Sequence, residues 1–489
     1  MNKRMIFYVL GKLLLVLSAL LVIPFMVSFY YKENISNDKM IIAYLIPIGV
    51  SLILGLLLTI IKPKKKDFFA REGFVIVGLS WIIIALFGCL PFIISQEIPN
   101  FFDAFFEIVS GFTTTGASIL NDVTALSKSM LFWRSFSHWI GGMGVLVFIL
   151  AIIPESKDGS SMHILRAESP GPQVGKLVSR MQVTSRILYL IYLGLTIILF
   201  LFLWLGPDKK MDLFNSVIYS VGTAGTGGFA VDSFSLEFYS NYTQYVISIF
   251  MILFGINFTL FYLILIGHFK DVIKSEELRW YFGILIISIV IIMISIYSKY
   301  NNFEQAFRLS LFQVATIMST SGYSTANFNE WPMLAKSVLF ILMFFGAMAG
   351  STSGGMKISR VAILFKSSIK RIKNMVNPRK VETVNIDDKP LKDDVVDSVQ
   401  SYFVVYIAIF ILCSFIISID NFDFTTNLSA SLACISNIGP GFNDVGPYGS
   451  YAGFSNFSKF ILSIEMIAGR LELFPMLILF NPKTWSRRI

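Results

Sequence analysis

Four stretches of the chain share one pattern, a short apolar segment followed by threonine, serine and glycine. Residues of these types bring hydroxyl and backbone carbonyl oxygens together, and such oxygens replace the hydration shell of small cations in membrane pores. Each stretch is too short to cross a bilayer and too apolar for an exposed loop. The four stretches are Phe102–Ser118 (FDAFFEIVSGFTTTGAS), Leu213–Phe229 (LFNSVIYSVGTAGTGGF), Arg308–Ser324 (RLSLFQVATIMSTSGYS) and Thr425–Phe442 (TTNLSASLACISNIGPGF).

Each stretch predicts a helix of about three turns that ends in an irregular turn. Irregular backbone at membrane depth is tolerated only inside protein or around a water-filled cavity, and the negative C-terminal end of a helix favours a cation. Glycine permits the backbone angles that aim carbonyls at an ion. The predicted ion ligands are Thr114, Thr115, Gly116, Thr226, Gly227, Ser321, Gly322, Ile438 and Gly439. Ile438 departs from the hydroxyl pattern of Thr115, Thr226 and Ser321. The alternative is a set of small-residue turns that let helices pack closely.

A further cluster of small residues interrupts a long apolar run. Its sequence, GAMAGSTSGG at 346–355, is rich enough in glycine and serine to weaken a helix. The alternative is a continuous helix that packs tightly through its small residues. A phosphate-binding loop is not supported, because Met356 separates Gly355 from Lys357 and no strand precedes the cluster. The residues of interest are Gly346, Gly350, Ser351, Thr352, Ser353, Gly354, Gly355 and Lys357.

The last apolar run of the chain holds the charged residues Glu465, Arg470 and Glu472. Charges inside a membrane span are costly, and they usually face a cavity or one another. Two interpretations stay open for Arg470. It faces the pore, or it forms an internal ion pair with Glu465 or Glu472.

The composition excludes several classes of protein. The chain has 489 residues, of which 55% are apolar and 15% charged, and its mean hydropathy is +0.70. Such values exclude a disordered chain, a nucleic-acid-binding protein and an ordinary soluble enzyme. The three cysteines and three histidines are widely spaced and form no CxxC or HExxH motif, so redox chemistry and zinc hydrolysis are poorly supported.

The apolar runs predict ten transmembrane helices, each close to or above the ~20 residues that cross the hydrocarbon core. They lie at 13–31, 41–61, 73–95, 130–153, 186–206, 243–267, 280–298, 334–365, 401–419 and 457–480. With ten spans, both termini and the loops that are rich in lysine and arginine lie on the same side of the membrane. These loops are at 62–71, 157–180, 270–279 and 366–392. Because basic residues mark the cytoplasmic side, we expect both termini in the cytoplasm.

Together these patterns predict an all-α polytopic membrane protein with two extra N-terminal helices and four span–half-helix–span repeats around one pore. The predicted divisions are residues 1–68 for the extra helices, 69–181 for repeat 1, 182–277 for repeat 2, 278–399 for repeat 3 and 400–489 for repeat 4.

The whole chain resembles the membrane subunits of the Trk/Ktr/HKT superfamily of potassium transporters. The segment RSFSHWIGGMG at Arg134–Gly144 is similar to the first-repeat motif of that family. The two additional N-terminal helices favour its TrkH-like branch. The resemblance implies one filter glycine per repeat, at Gly116, Gly227, Gly322 and Gly439, and glycine at the first position favours potassium ion over sodium.

The resemblance further implies that 346–355 is an intramembrane loop that gates the pore, and that Arg470 faces the pore beneath the filter. It implies a homodimer in a bacterial inner (cytoplasmic) membrane, with a cytosolic nucleotide-binding, TrkA-like regulatory subunit. The basic segments 366–392 and Lys157–Arg180 offer docking surfaces for that subunit, although the positive-inside rule alone explains them equally well.

Three other functions are alternatives to potassium uptake through a channel-like pore. A proton- or sodium-coupled secondary transporter needs broken helices and a titratable site, and only 346–355 and the charges of the last span qualify. A sodium-permeable relative differs in ion preference alone. An intramembrane enzyme needs a nucleophile with a base, or metal ligands, and the sequence offers neither. The expectation is a transporter without an organic cofactor on this chain.

Overall fold

The protein is described by a computed structural model that covers residues 2–36, 39–60, 63, 70–144, 181–379 and 382–485. Its regular structure is helical apart from a small antiparallel hairpin, Asn385–Ile386 paired with Lys389–Pro390. The fold is that of an all-α, multi-pass membrane protein, as the sequence predicts. The basic segment Lys157–Arg180 and most of the basic residues near 62–66 lie outside the described residues.

Six of the ten predicted spans are helices long and apolar enough to cross a membrane on their own. Such runs form helices because a helix satisfies every backbone hydrogen bond within the segment. The six are Lys3–Tyr30, Lys39–Ile60, Arg71–Ser95 (built from Ala70–Gly88 and Leu90–Ser95), Ser185–Trp204 (within Met181–Trp204), Glu276–Tyr300 and Asp393–Asp420 (with the helix Asp393–Ile417).

The first two spans form a close hairpin, joined through the short helix Glu33–Ser36. Gly11 and Gly55 face each other across it, and a Cβ built on either glycine would lie 3.0 Å from the carbonyl oxygen of the other. Small residues at such a crossing let two membrane helices approach closely. The hairpin therefore stands as one unit beside the repeats.

Four shorter helices, named here half-helices 1 to 4, confirm the predicted pattern between the spans. Each begins at a side-chain cap in which an Asn or Asp oxygen accepts from a backbone N–H of the first turn. Those caps are Asn100, Asp212, Asn302 and Asp423. The half-helices are Phe101–Phe112, Leu213–Gly225, Phe303–Met318 and Phe424–Ile435.

In repeats 2 and 4 the helix that follows the half-helix is not one continuous span, and this corrects the sequence prediction. In repeat 2 the predicted span 243–267 is a pair, Asn241–Phe254 and Phe258–Leu265, bent by 93°. In repeat 4 the predicted span 457–480 breaks between Asn456–Arg470 and Phe474–Phe480. Glu472 and Leu473 have positive φ at that break, which no helix continues through.

In repeat 3 the predicted interruption of 334–365 is confirmed, but it is longer than the small-residue cluster. Helix Met333–Leu342 ends before Gly346, and helix Ile358–Val376 begins after Lys357. The residues 343–357 between them are named here the loop. Helix Ile358–Val376 is named the loop-exit helix. In repeat 1, helix Lys128–Gly142 ends near the edge of the described residues, so the remainder of the predicted span 130–153 lies outside them.

The remaining short helices connect these parts. They are Phe269–Lys274 and Pro482–Trp485, together with the 3₁₀ turns Val123–Ala125, Phe328–Glu330, Ser418–Asp420 and Asn443–Val445. Three of these four turns, all except Ser418–Asp420, follow a half-helix within about a dozen residues and lead into the next long helix. These three turns thus connect a half-helix to the following helix in repeats 1, 3 and 4.

Candidate ion pore

Each half-helix ends in a turn with the same backbone conformation, which we call a filter turn. The filter turns are Thr113–Gly116, Gly225–Gly228, Ser319–Gly322 and Ser436–Gly439. Their second residues, Thr114, Thr226, Thr320 and Asn437, are left-handed with φ between 55° and 57°. Their fourth residues, Gly116, Gly228, Gly322 and Gly439, have φ between 76° and 97°. Left-handed backbone is strained for residues with a side chain, so four occurrences in register indicate a required geometry.

Backbone hydrogen bonds repeat in the same register. The third residue of each turn donates its N–H to the carbonyl five residues earlier, at 2.8 to 3.0 Å. This winds the end of every half-helix in the same way and satisfies a carbonyl that the helix leaves free. The four donor–acceptor pairs are Thr115 to Ser110, Gly227 to Gly222, Ser321 to Thr316 and Ile438 to Ala433.

This register corrects the predicted alignment of the second repeat. The sequence analysis equates Gly227 with the glycines of the other repeats, and Thr226 with Thr115 and Ser321. In the structure Gly228 is the equivalent glycine, and Gly227 stands in the place of Thr115, Ser321 and Ile438. The prediction is wrong by one residue because two adjacent glycines cannot be told apart by composition.

The four filter turns close into a ring. A Cβ built on the glycine of one turn would lie within 3.0 Å of the carbonyl oxygen of the third residue in the next turn. The contacts run in order: Gly116 to Gly227, Gly228 to Ser321, Gly322 to Ile438 and Gly439 back to Thr115. Each repeat therefore touches the next, and the fourth touches the first. Glycine is needed at these positions both for the φ angle and for the close approach.

Most hydroxyl groups of the turns are bonded to other protein groups, and Thr114 Oγ1 is an exception. Thr115 Oγ1 lies 2.8 Å from Thr113 Oγ1, and Ser321 Oγ lies 2.8 Å from Ser319 Oγ. Asn437 Nδ2 donates to Thr115 Oγ1 at 3.0 Å and so joins turn 4 to turn 1. These contacts brace the ring and leave the carbonyl oxygens as its repeated feature.

An open cavity adjoins the ring. One glycine from each turn lines it, namely Gly116, Gly228, Gly322 and Gly439. The presence of Gly228 rather than Gly227 in that lining agrees with the register given by the backbone angles. Asp232 and Tyr448 are also part of the wall, so the entrance is polar and connected to the ring.

Two buried side chains of the first repeat support the turns. His138 Nδ1 lies 2.7 Å from the Gly111 carbonyl, and its Nε2 accepts from the Phe229 N–H at 3.4 Å. Arg134 donates from Nε to Glu107 at 2.7 Å and stacks on the Phe229 ring at 4.0 Å. Both residues therefore join repeat 1 to the residue that follows turn 2.

The loop is held by the broken helix of repeat 2. Met348 donates its N–H to the Gly255 carbonyl at 3.1 Å, and Phe258 donates to the Gly350 carbonyl at 3.0 Å. Thr352 Oγ1 donates to the Phe254 carbonyl at 3.2 Å. The helix break and the loop satisfy each other's backbone groups, which explains why both persist at membrane depth.

The loop lies directly beneath turns 3 and 4. Gly354 donates its N–H to Thr320 Oγ1 at 2.7 Å, and a Cβ on Gly354 would lie 2.6 Å from the Asn437 Cβ. Gly346 and Gly355 pack against each other, and Gly350 packs against Asn257. The glycines of the predicted cluster are therefore packing positions of one folded loop.

Polar side chains stabilise the shape of the loop. Ser351 Oγ donates to the Met348 carbonyl at 2.6 Å and lies 2.8 Å from Ser353 Oγ. Ser353 Oγ in turn accepts from the Ala347 N–H at 3.2 Å. Lys357 is buried, and its Nζ donates to the Ser353 carbonyl. The ammonium group thus donates charge-assisted hydrogen bonds to Ser353 at the base of the loop.

Arg470 connects the last repeat to the loop and to the first repeat. Its Nη1 donates to the Thr352 carbonyl at 2.9 Å, and its Nη2 donates to the carbonyls of Gly141 and Gly142 at 2.6 and 2.8 Å. Those two carbonyls end helix Lys128–Gly142, where a cation is favoured. Arg470 therefore bridges three repeats below the filter turns.

The other charges of the last span have their own contacts. Glu472 forms an ion pair with Arg360 of the loop-exit helix, and Arg360 stacks on the Tyr402 ring at 4.0 Å. Glu465 accepts from Ser431 at 2.6 Å. The two acids that were possible ion-pair partners of Arg470 thus bind Arg360 and Ser431 instead.

Sequence reasoning missed one residue that holds the loop. Glu277 Oε1 accepts from the N–H groups of Ala349 and Ser359, at 2.8 and 3.0 Å. One carboxylate therefore fixes the loop tip and the start of the loop-exit helix. The sequence signal, an acid in the first turn of a span, is equally typical of a helix N-terminus.

Comparisons with known proteins agree on one family. The family model described as TrkH, cation transport protein, matches residues 45–487. The Trk system potassium uptake protein TrkH of Escherichia coli (strain K12) is 32% identical, covering 99% of this chain and 100% of that protein. The Trk system potassium uptake protein TrkG of the same strain is 31% identical, with 99% of each chain covered. The crystal structure of the potassium transporter TrkH from Vibrio parahaemolyticus has a TM-score of 0.88 and 31% identity, and covers 99% of this chain and 100% of that chain.

Proposed function

This chain belongs to the TrkH family of cation transport proteins, and from that premise we propose that it carries potassium ions into the cell through the ring of filter turns. The family is one of transporters rather than enzymes. Potassium is the substrate, and no organic cofactor on this chain takes part. A membrane potential that is negative inside drives each ion inward by about 2.3 kcal/mol per 100 mV.

The ion ligands in this proposal are backbone carbonyl oxygens of the filter turns. The observation that carries the proposal is the closed ring, in which every turn contacts the next through a glycine and a carbonyl. Carbonyl oxygens replace the hydration shell of the ion, and the C-terminal ends of four half-helices add negative potential. Gly116, Gly228, Gly322 and Gly439 give the ring its diameter, so they set the preference for potassium over sodium.

The loop at 343–357 is the gate in this proposal. It lies beneath turns 3 and 4, and Arg470 bonds it to repeat 1. The guanidinium group places a fixed positive charge below the ring, which raises the barrier for a cation. For the gate to open, the hydrogen bonds between Arg470 and Thr352 and between Gly354 and Thr320 have to break.

Regulation comes from a cytosolic partner in this proposal. The relatives are named as parts of a Trk system, which supports a TrkA-like nucleotide-binding subunit acting on a homodimer of this chain in a bacterial inner membrane. Both termini then lie in the cytoplasm, on the side of the basic segments. The loop-exit helix joins the gate to that side and is the element through which a partner reaches the loop.

Growth of a potassium-uptake-deficient bacterium that expresses the full chain tests the proposal. We expect rescue at low potassium, with a TrkA-like partner supplied, and loss of rescue for Gly228→Ala. Gly194→Ala is the matched control, because nothing lies within 4 Å of a Cβ at Gly194. Rescue that depends on sodium rather than potassium would favour the sodium-permeable alternative. Equal rescue by Gly228→Ala and Gly194→Ala would reject the ring as the ion path.

A further inference from the structure

The loop-exit helix Ile358–Val376 has one face that the rest of the chain leaves uncovered. Phe365, Ile369, Ile372 and Val376 follow the helical spacing of four, three and four residues and so form one stripe. Their exposed fractions are 54%, 37%, 62% and 74%. A stripe of this kind needs an apolar environment, which water does not provide.

The opposite face of the same helix is fixed in place. Ile363 is buried in a small core with Val384, Val396 and Val399, and Ser367 accepts from Gln400 at 3.0 Å. The helix therefore cannot roll to hide the stripe. Whatever covers the stripe comes from outside the described chain.

Two ion pairs place the loop-exit helix at the level of the membrane boundary. Lys366 pairs with Glu276, the first residue of the span Glu276–Tyr300. Lys370 lies 3.6 Å from Asp393, the first residue of the span Asp393–Ile417. The middle of the helix thus runs past the polar first turns of these two helices, at the level of the headgroups.

The stripe faces the hydrocarbon side of that boundary. The Phe365 ring lies 5.6 Å from the Trp280 ring, and Trp280 stands one turn inside the span from Glu276, about 6 Å deeper. Lys366, the next residue along the helix, instead reaches Glu276 at the boundary. An apolar side chain on the deeper side and a charged side chain at the boundary are typical of helices that lie in the plane of a membrane interface.

Two cations flank the stripe. Arg371 and Lys373 are exposed, and within the described part of the chain neither forms an ion pair. Long basic side chains beside an apolar stripe reach headgroups while their stems stay in the apolar layer. Each such charge near an anionic leaflet contributes about 1 kcal/mol of attraction.

We propose that the loop-exit helix lies in the cytoplasmic leaflet and binds anionic phospholipid headgroups through Arg371 and Lys373, with the stripe in the acyl layer. The proposal rests on the proposed function for naming that side cytoplasmic and for naming the loop a gate. Because the helix begins at the base of the gate loop, bound lipid fixes the element that would move with the gate. Lipid binding is measured without transport, so the two proposals fail separately.

Quenching of Trp280 by brominated lipid tests the binding. The full chain is placed in vesicles of phosphatidylcholine with either brominated phosphatidylglycerol or brominated phosphatidylcholine, and the Trp280→Phe variant isolates the Trp280 signal. We expect a preference for phosphatidylglycerol of at least about threefold, since each charge is worth about fivefold. The R371Q/K373Q variant should bring the ratio close to one.

The K389Q/K392Q variant is the matched control. It removes two exposed basic residues that belong to the hairpin and to the cap of helix Asp393–Ile417 instead of the loop-exit helix, and should keep the preference. Equal quenching by both lipids in the unaltered chain would overturn the proposal, as would a preference that survives R371Q/K373Q.

The variant Ile372→Cys tests what covers the stripe. The three native cysteines are buried, so a fluorophore attached at position 372 reports from the stripe. We expect blue-shifted emission in vesicles that bromolipid quenches. Disulfide-linked dimers through position 372 would show that a second copy covers the stripe, and water-like emission would show that nothing does. Either result overturns the proposal.

Discussion

At the scale of single residues, the four filter glycines join neighbouring repeats through close backbone contacts. Each combines a positive φ with a position where a Cβ would meet the backbone of the next repeat. Backbone cannot move aside as a flexible side chain can. If a side chain is added at one of these glycines, the ring therefore has to expand or break. Of the four distances between an added Cβ and the carbonyl oxygen of the next turn, the one at Gly439 is the longest, at 2.6 Å from the Thr115 oxygen.

Alanine substitution of these glycines should therefore give a graded loss. We expect Gly116→Ala, Gly228→Ala and Gly322→Ala to abolish uptake at low potassium, and Gly439→Ala to retain the most. Rubidium uptake in vesicles measures the series. Gly283→Ala serves as control, because nothing lies within 4 Å of a Cβ there. A series in which Gly439→Ala is the most damaging would contradict this ranking.

Glu277 gives a second prediction at this scale. Its Oε1 accepts from both Ala349 and Ser359, and a charged acceptor makes each bond about twice as strong as a neutral one. Glu277→Gln should loosen the loop and raise basal potassium flux severalfold while the potassium-over-sodium ratio stays unchanged. Flux and ion selectivity of the same vesicles check both parts.

The neighbouring Glu276→Gln is the control for Glu277. Glu276 pairs with Lys366 and accepts from Trp280 Nε1, so its change leaves the loop contacts in place. A selectivity change in Glu277→Gln would show that the carboxylate acts on the filter instead of the gate.

At the scale of elements, the contact of Arg470 with the loop and helix Lys128–Gly142 decides how firmly the gate is closed. Arg470→Lys keeps the positive charge but cannot reach Thr352, Gly141 and Gly142 with one planar fork. Arg470→Ala removes both charge and contacts. We expect higher flux in both variants and a larger rise for alanine, because the electrostatic barrier also falls.

Flux measured at several ionic strengths separates the two contributions. A charge effect weakens with salt, whereas loss of the bridging contacts does not. If Arg470→Lys behaves like the unaltered chain, the bridge contributes nothing to closure and only the charge matters.

The half-helices depend on their caps. Asp423 accepts from Thr426 N–H at 3.1 Å at the start of half-helix 4. Asp423→Ala should lower the unfolding free energy by about 0.5 to 2 kcal/mol, visible as a lower melting temperature in detergent. Asp423→Asn preserves the acceptor and should cost much less. If the two variants are equally destabilised, the charge of Asp423 and not its role as a hydrogen-bond acceptor stabilises the half-helix.

The elements also show where sequence reasoning reaches its limit. The half-helices were predictable because apolar segments ending in Thr, Ser and Gly contrast with their surroundings. The helix breaks at Gly255 and Glu472 were not, because apolar windows run through them and the partners that satisfy them come from the loop and from Arg360. The choice between Gly227 and Gly228 required backbone angles.

At the scale of the whole molecule, one chain supplies all four filter turns. The ring closes from Gly439 to Thr115 within the same polypeptide, and its four walls differ, with Gly227 and Ile438 where turns 1 and 3 have hydroxyls. Repeats of unlike sequence can take unlike partners below the filter. The loop belongs to repeat 3 and Arg470 belongs to repeat 4. They are the clearest case, because each lies below the ring and contacts different repeats.

A complete ring in every chain predicts how active and inactive copies combine. When equal amounts of unaltered chain and Gly228→Ala are co-expressed, we expect about half of the full uptake, whether or not the chains pair as a homodimer. A pore assembled from four chains with one turn each would retain only about one sixteenth. Uptake measured against the fraction of Gly228→Ala should therefore fall along a straight line. A steeper, curved decline would mean that ions pass between chains, and the ring of filter turns would then not be the conduction path.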